Sequence, residues 1–385
     1  MRFRDPAGRV VHLAYGTNVH PAEDLHGVVD QLRRFAEPVR QTLGVPLLGV
    51  GLWLAAPVAA QLARDPSAVA GLRSSLQEHG LEVVTCNAFP YTGFHAPVVK
   101  HAVYRPDWTQ PERADYTLQV AQVLAGLLPD DVTGGSISTL PLGWRVGWDE
   151  RMTHGAIAAL RRVAGSLGRL RERTGKAIRL AVEPEPGCAV ETVAQAAAAL
   201  GELGEHIGVC IDTCHLAVQF EAAVAAVRDL ADAGVPLVKV QVSSALRSPR
   251  PSDPVERAGL RAFAEPKFLH QTRTRDRSGA VLGVDDLPAA LEGELPSDEE
   301  WRVHFHVPVH TTDRDTTQAE LVGALPALLG VDGIPPHLEV ETYTWGVLPL
   351  GRRPLDDAGL VAGIAREVDW TRVQLRALGL QESTA

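Results

Sequence analysis

The sequence predicts an α/β fold, a (β/α)8 TIM barrel with an insertion or an extra strand in its C-terminal third. Three observations support this prediction. Short apolar runs end in turn residues, helical patterns lie between most of them, and successive runs begin about 30 residues or more apart, as a strand–helix–strand crossover requires. Eight such units close a barrel. No G-x-G-x-x-G follows any run, which makes a doubly wound dinucleotide-binding sheet the weaker alternative.

Nine apolar runs are predicted to be strands. They lie at residues 10–20, 46–55, 81–91, 132–142, 178–187, 207–216, 236–246, 301–310 and 337–345. Between most of them, apolar residues recur at spacings of three and four, as in amphipathic helices. Because a barrel needs eight strands, one of the last three runs should be an extra strand or a loop excursion. The alternation fails between Arg247 and Glu300, so we expect one domain over 1–385 with an irregular insertion at about 247–300.

Composition narrows the classes of protein that remain possible. The chain is 45% hydrophobic and 22% charged, which allows a large core and excludes disorder. A net charge of −10 disfavours nucleic acid and anionic membranes as partners. No signal-peptide or membrane-spanning run is found, and the four cysteines are too few for a disulfide scaffold. We therefore expect a soluble, cytoplasmic protein that binds a small-molecule metabolite and could form oligomers.

Polar residues that could bind a metal end the later strands. In a barrel of this type, catalytic groups lie at the C-terminal ends of the strands, where side chains from different strands converge. Oxygen and nitrogen ligands from several directions suit a divalent ion such as Mn²⁺, Mg²⁺, Co²⁺ or Zn²⁺. The candidate ligands are Glu183, Asp212, Gln241, His306 and Glu341.

Each candidate ligand also has a structural interpretation. Asp212 could cap the helix that follows it, and Glu183 could accept hydrogen bonds from loop amides. Glu339 and Glu341 share a strand face, and Glu341 is favoured because it lies nearer the strand end. His306 could be a structural histidine.

Other residues near the strand ends could contact a substrate. His20 follows the first strand, and His215 could bind an oxyanion or cap a helix. Phe89 and Trp108 bound a long aromatic segment that could form an apolar wall against a sugar ring, or could pack against the barrel rim.

Lysine and cysteine chemistry is the weaker alternative. Lys239 shares a strand face with Gln241, so a buried Schiff-base lysine is conceivable, but we expect it to point outward. Cys210 and Cys214 flank Asp212 and could bind zinc as thiolates, although inert buried thiols are the simpler expectation.

The segments AVEPEPG (181–187) and CIDTCH (210–215), with the late Glu341, resemble the xylose isomerase-like TIM barrel superfamily of sugar isomerases and epimerases. The resemblance implies that Glu183, Asp212, a histidine and Glu341 surround one divalent ion, with His215 in the matching Asp-x-x-His position. The ligand histidine stays open. The segment VKVQVSSALR has Gln241 in that place and Arg247 where a substrate-binding arginine is expected, whereas HFHV (304–307) resembles the histidine motif itself.

Six further segments resemble the metabolite traffic protein EboE family. They are YGTNVHP, FPYTGFHAPVVKHAVYRPDW, ISTLPLGW, KVQVSSALR, FHVPVH and LEVETYTW. This resemblance implies a barrel that processes or helps to export a small metabolite.

These resemblances and the strand-end residues together predict a metal-dependent isomerase or epimerase. It would act on a small polyhydroxylated carbonyl metabolite by enediolate proton transfer, with Glu183 and Glu341 as the catalytic pair. A barrel that binds a metabolite for export without transforming it is the first alternative. An endonuclease IV-like metal hydrolase is the second, and the charge of −10 argues against the DNA-attracting face that it needs.

Overall fold

The computed structural model describes residues 1–312 and 314–383. Within them the strands are, in chain order, β1 (Arg2–Arg4), β2 (Val10–Gly16), β3 (Leu48–Trp53), β4 (Leu81–Asn87), β5 (Gly134–Thr139), β6 (Ala177–Val182), β7 (Ile207–Asp212), β8 (Leu237–Val242), β9 (Ala245–Ser248), β10 (Thr272–Arg275), β11 (Val281–Val284), β12 (Trp301–His306), β13 (His337–Val340) and β14 (Gln381–Ser383).

Eight parallel strands close a barrel. Strands β2 to β8 pair in chain order, and β13 pairs with both β8 and β2. In register, Leu338 lies beside Leu13 on one side and Val240 on the other. The short strands β1 and β14 extend the sheet from the beginning of β2, in antiparallel orientation. The predicted eight-stranded barrel is confirmed.

The extra strand is β12, which formed the eighth predicted run. It belongs to a separate four-stranded antiparallel sheet with the order β11-β10-β12-β9. This sheet is inserted between β8 and β13, the last two strands of the barrel. The eighth run could not be distinguished from a barrel strand in sequence, because an apolar alternation does not show which strand it pairs with.

Helices occupy most connections between the barrel strands. They are α1 (Leu25–Gln31), α2 (Glu37–Leu43), α3 (Ala56–Arg64), α4 (Pro66–Glu78), α5 (Pro111–Leu127), α6 (Glu150–Thr174), α7 (Val193–Leu200), α8 (Thr213–Val218), α9 (Ala223–Asp232), α10 (Pro254–Arg261), α11 (Leu287–Glu292), α12 (Gln318–Leu329) and α13 (Asp357–Ala377). Several begin at an aspartate N-cap, such as Asp149, which accepts a hydrogen bond from the Met152 N–H and satisfies a donor of the first turn of α6. Among the described residues, no helix has both the length and the apolar character needed to span a bilayer.

The barrel interior contains a buried ion pair. Lys239 Nζ lies 3.2 Å from Glu339 Oε1, and both side chains are fully buried. The expectation that Lys239 points outward is therefore wrong, because this strand face is directed into the barrel. Gly51 makes room for the pair: a Cβ atom there would lie only 1.5 Å from Glu339 Oε2.

Candidate metal centre

Three buried carboxylates meet at the C-terminal mouth of the barrel. Glu183 follows β6, Asp212 ends β7 and Glu341 follows β13. One oxygen of each lies within 4.8 Å of the others. The structure thus brings together three predicted ligands that are widely separated in the chain.

Asp212 caps a helix with one oxygen and directs the other into this cluster. Its Oδ1 accepts hydrogen bonds from the N–H groups of Cys214 and His215, at 2.7 and 3.1 Å, and from Ser243 Oγ at 2.6 Å. Its Oδ2 has no hydrogen-bond partner among the described residues. The helix-cap and ligand interpretations are therefore compatible, since they use different atoms.

Glu341 and Glu183 are held differently. Glu341 Oε1 accepts hydrogen bonds from Asn18 Nδ2 at 2.8 Å and Asn87 Nδ2 at 2.7 Å. Glu183 Oε2 has no hydrogen-bond partner within the described chain. Burial, reinforced by the neighbouring carboxylates, raises the pKa of both glutamates well above the usual range. A bound cation would relieve this repulsion.

His306 reaches the same cluster from the inserted sheet. Its Nδ1 donates to the backbone carbonyl of Glu341 at 2.6 Å, which leaves the lone pair of a neutral ring on Nε2. That Nε2 lies 3.7 Å from Asp212 Oδ2 and has no hydrogen-bond partner among the described residues. A histidine whose second nitrogen is fixed by a carbonyl is the usual arrangement of a metal ligand.

Gln241 lies fully buried on β8, beside Asp212 in the sheet register. Neither its amide oxygen nor its amide nitrogen has a hydrogen-bond partner in the described part of the chain. Like Asp212, it is not among the residues that line the cleft described below.

The donor set fits a divalent cation. Three buried atoms, Glu183 Oε2, Asp212 Oδ2 and His306 Nε2, have lone pairs that are not used in hydrogen bonds. Buried polar atoms are otherwise almost always paired, and leaving them unpaired costs free energy. Oxygen and nitrogen donors of this kind suit Mn²⁺, Co²⁺, Zn²⁺ and Mg²⁺.

A cleft of about 530 Å³ opens above the carboxylates. One part of its lining is polar: Glu183, Glu185, His215, His304, His306 and Glu341. Another part is aromatic: Phe89, Phe94, Tyr104, Phe268 and Tyr343. The cleft has the mixed apolar and polar lining of a small-molecule site.

Two predicted substrate residues, Phe89 and His215, line this cleft, but three others do not. His20 is buried and stacks on Phe35 with ring centroids 4.2 Å apart, and burial lowers its pKa to about 3. Trp108 is buried away from the cleft. Arg247 lies on β9 with its guanidinium 2.6 Å from Glu300 Oε2.

Sequence analysis missed several residues of the cleft. Asn87 ends a strand, so the rule that located the carboxylates could also have found it. His304 shares a strand face with His306 in the HFHV segment, but only His306 was predicted to be a ligand. Phe268 and Leu269, which also line the cleft, lie in the irregular insertion, where no periodic pattern indicated their position.

Cys210 and Cys214 are buried free thiols. Burial raises the pKa of both well above the ordinary value, which disfavours thiolates.

Comparison with known proteins identifies related folds. A family model described as "Xylose isomerase-like TIM barrel" matches residues 48–254. No curated protein matches the chain.

Three solved structures illustrate the similarity. A xylose isomerase-like TIM barrel protein from Mycobacterium smegmatis, in complex with magnesium, has a TM-score of 0.53 at 12% identity, over 96% of this chain and 97% of that one. An L-ribulose 3-epimerase has a TM-score of 0.52 at 13% identity, over 96% of this chain and 95% of that one. A D-allulose 3-epimerase from Methylomonas sp. has a TM-score of 0.51 at 12% identity, over 97% of this chain and 100% of that one. At these identities the likeness concerns the fold alone.

Proposed function

Because the chain belongs to the xylose isomerase-like TIM barrel family, we propose that it is a divalent-metal-dependent isomerase or epimerase of a small polyhydroxylated carbonyl compound. The observation that carries the proposal is the cluster of Glu183, Asp212 and Glu341, with ligand atoms within 4.8 Å of one another. Two of the three, Glu183 and Glu341, line the cleft. The names of two fold relatives, an L-ribulose 3-epimerase and a D-allulose 3-epimerase, support the substrate class.

The ligands of the ion are Glu183, Asp212, His306 and Glu341. His306 is preferred to Gln241 because its Nε2 is an unused lone pair near Asp212, and imidazole is a stronger ligand than an amide oxygen. In this arrangement the inserted sheet provides the histidine, and the barrel strands provide the carboxylates.

The bound ion would polarise the carbonyl group of the substrate and stabilise negative charge on its oxygen atoms. The protein residues move the proton. Glu183 and Glu341 both border the cleft, so one can accept the proton from the carbon next to the carbonyl while the other returns it. Asn18 and Asn87 fix the orientation of Glu341 through its Oε1.

Two further residues position the substrate. Phe89 belongs to the aromatic wall, which can pack against the apolar face of a sugar ring and exclude water. His215 is the polar residue of the lining that we assign to contact with a substrate oxygen.

We further propose that the chain serves the processing or export of a metabolite, as its EboE-like segments imply. A barrel that binds its ligand without transforming it is the second candidate function. The observation that favours it is Gln241, which stands where the resemblance expects the ligand histidine.

Metal content and isotope exchange test the proposal together. Protein stripped with a chelator and reloaded with Mn²⁺ is incubated with a panel of ketoses in D₂O. Proton NMR should show deuterium at the carbon next to the carbonyl, and Glu341→Gln should abolish this exchange. Glu294→Gln, which changes an exposed carboxylate, is the matched control. Failure to bind Mn²⁺ contradicts the metal-dependent function and points to the binding protein. Bound Mn²⁺ without exchange on any ketose also favours the binding protein.

A further inference from the structure

Two histidines of the cleft face each other with their Nε2 atoms. The Nε2 atoms of His215 and His304 are 3.1 Å apart, and both side chains are buried. His215 follows β7 of the barrel, whereas His304 lies on β12 of the inserted sheet. The pair therefore joins the two sheets at the mouth of the barrel.

The tautomer of His215 follows from its other nitrogen. His215 Nδ1 lies 3.0 Å from the carbonyl oxygen of Pro184. A carbonyl oxygen can only accept, so Nδ1 carries the proton of the neutral ring and Nε2 carries a lone pair.

The tautomer of His304 follows from Gln271. His304 Nδ1 lies 2.7 Å from Gln271 Oε1. The orientation of this amide is fixed, because its nitrogen donates to Glu185 Oε1 at 3.2 Å and to the Pro186 carbonyl at 2.9 Å. An inverted amide would place its oxygen against those two acceptors. His304 Nδ1 is thus the donor, and its Nε2 also carries a lone pair.

Two lone pairs at 3.1 Å repel each other unless a cation lies between them. A proton is a poor candidate, since an imidazolium would be a buried charge taken out of water. Two imidazole nitrogens bound to one divalent ion at about 2.1 Å each lie about 3.0 Å apart at a ligand angle of 90° and about 3.4 Å apart at the tetrahedral angle. The observed separation of 3.1 Å falls within this range.

A carboxylate completes the set. Glu185 offers an oxygen within 4.8 Å of a ring nitrogen of both His215 and His304, and its Oε1 lies 3.6 Å from His304 Nδ1. Its Oε1 accepts a hydrogen bond from Tyr104 Oη at 2.7 Å, which fixes its orientation. All three residues line the cleft, so an ion here would face the substrate.

We propose that Glu185, His215 and His304 bind a second divalent cation, adjacent to the ion of the carboxylate cluster. This inference rests on the proposed function and adds a second ion to the same cleft. His215 would then contact the substrate through this ion. Two imidazoles and one carboxylate favour Zn²⁺, Co²⁺ or Mn²⁺ over Mg²⁺.

Counting Co²⁺ ions tests the proposal without reference to activity. The metal-free chain is saturated with Co²⁺, freed of excess by gel filtration and analysed for cobalt per chain. The wild type should hold two ions. His304→Phe and Glu185→Gln should each hold one, as should Glu341→Gln through loss of the first site. His154→Phe, a change of an exposed histidine on α6, is the matched control and should hold two.

Circular dichroism and thermal unfolding in EDTA establish that each variant is folded. If His304→Phe does not fold, Glu185→Gln alone tests the second site. A single ion in the wild type that is lost in Glu341→Gln but kept in both His304→Phe and Glu185→Gln would overturn the second site and leave the proposed function intact. Two ions that both persist in these two variants would also overturn it. A wild type that binds no ion contradicts the proposed function as well.

Discussion

His306 Nδ1 lies 2.6 Å from the backbone carbonyl oxygen of Glu341, so a histidine of the inserted sheet is oriented by the last strand end of the barrel. The hydrogen bond fixes the ring so that Nε2 is directed toward Asp212. Glu341 offers its side-chain carboxylate to the cluster, and its backbone carbonyl orients the ring of His306. The inserted sheet is therefore part of the candidate metal centre.

This relationship predicts different effects at His306 and Gln241. His306→Leu should weaken Mn²⁺ binding by at least about tenfold, because even the loss of a residue that only orients a ligand has an effect of this size. Gln241→Leu should leave the affinity unchanged, since His306 and not Gln241 completes the proposed set of ligands. Isothermal titration with Mn²⁺ measures both. Weaker binding in Gln241→Leu alone would assign the ligand position to Gln241.

Gly51 should not tolerate a side chain. A Cβ atom there would lie 1.5 Å from Glu339 Oε2 within the packed barrel. Gly51→Ala should therefore lower the free energy of unfolding by about 1–3 kcal/mol, the range for overpacked cores. Gly71→Ala in α4, where a Cβ atom meets nothing within 4 Å, is the control and should be neutral or stabilising. Urea unfolding measures both, and equal stability of the two variants would contradict the prediction.

Removing one charge of the buried Lys239–Glu339 pair should destabilise the protein more than removing both charges. Lys239→Met leaves Glu339 as a buried carboxylate without its cation and should cost about 3–5 kcal/mol. The double variant Lys239→Met/Glu339→Gln removes both charges, so it should be more stable than the single variant. Urea unfolding of all forms, in EDTA, completes the cycle. A double variant no more stable than Lys239→Met would show that the charges are not coupled.

Glu367 should make stability depend on pH. Burial raises its pKa to about 7, although it accepts hydrogen bonds from the Val309 N–H, Thr342 Oγ1 and Trp345 Nε1. A raised pKa in the folded state stabilises the fold below the unfolded value near 4.5, and this contribution is lost as the pH rises through about 7.

Wild-type stability should therefore fall by up to about 3 kcal/mol between pH 5 and pH 8 through this group. Glu367→Gln, which cannot ionise, should lack that component. Urea unfolding across this range compares the two forms, and parallel profiles would be inconsistent with a protonated Glu367.

Much of the barrel followed from the sequence because its signals are local. Eight of the nine predicted runs are barrel strands, and the side chains of Glu183, Asp212 and Glu341 were predicted to meet. Parallel strands of a closed barrel all end at one mouth, so the position of a carboxylate at a strand end predicts its neighbours. Knowing the strand pairs was not needed for this step.

Other residues depended on contacts that no local pattern records. The apolar alternation of the eighth run is the same whether it joins a parallel barrel or an antiparallel sheet, so the position of His306 was open. Arg247 and His20 lie near predicted strand ends, and Trp108 ends the aromatic segment after the third run. Packing directs them to Glu300, Phe35 and the protein interior, respectively.

The sequence alone therefore determined the barrel and the carboxylates at its mouth, since both depend on the order of residues along each strand. Only the tertiary structure decided which strand leaves the barrel, that Lys239 is buried, and that His304 and His306 face the carboxylates. These features depend on pairing between segments far apart in the chain, and the free energy of that pairing is set by the whole fold.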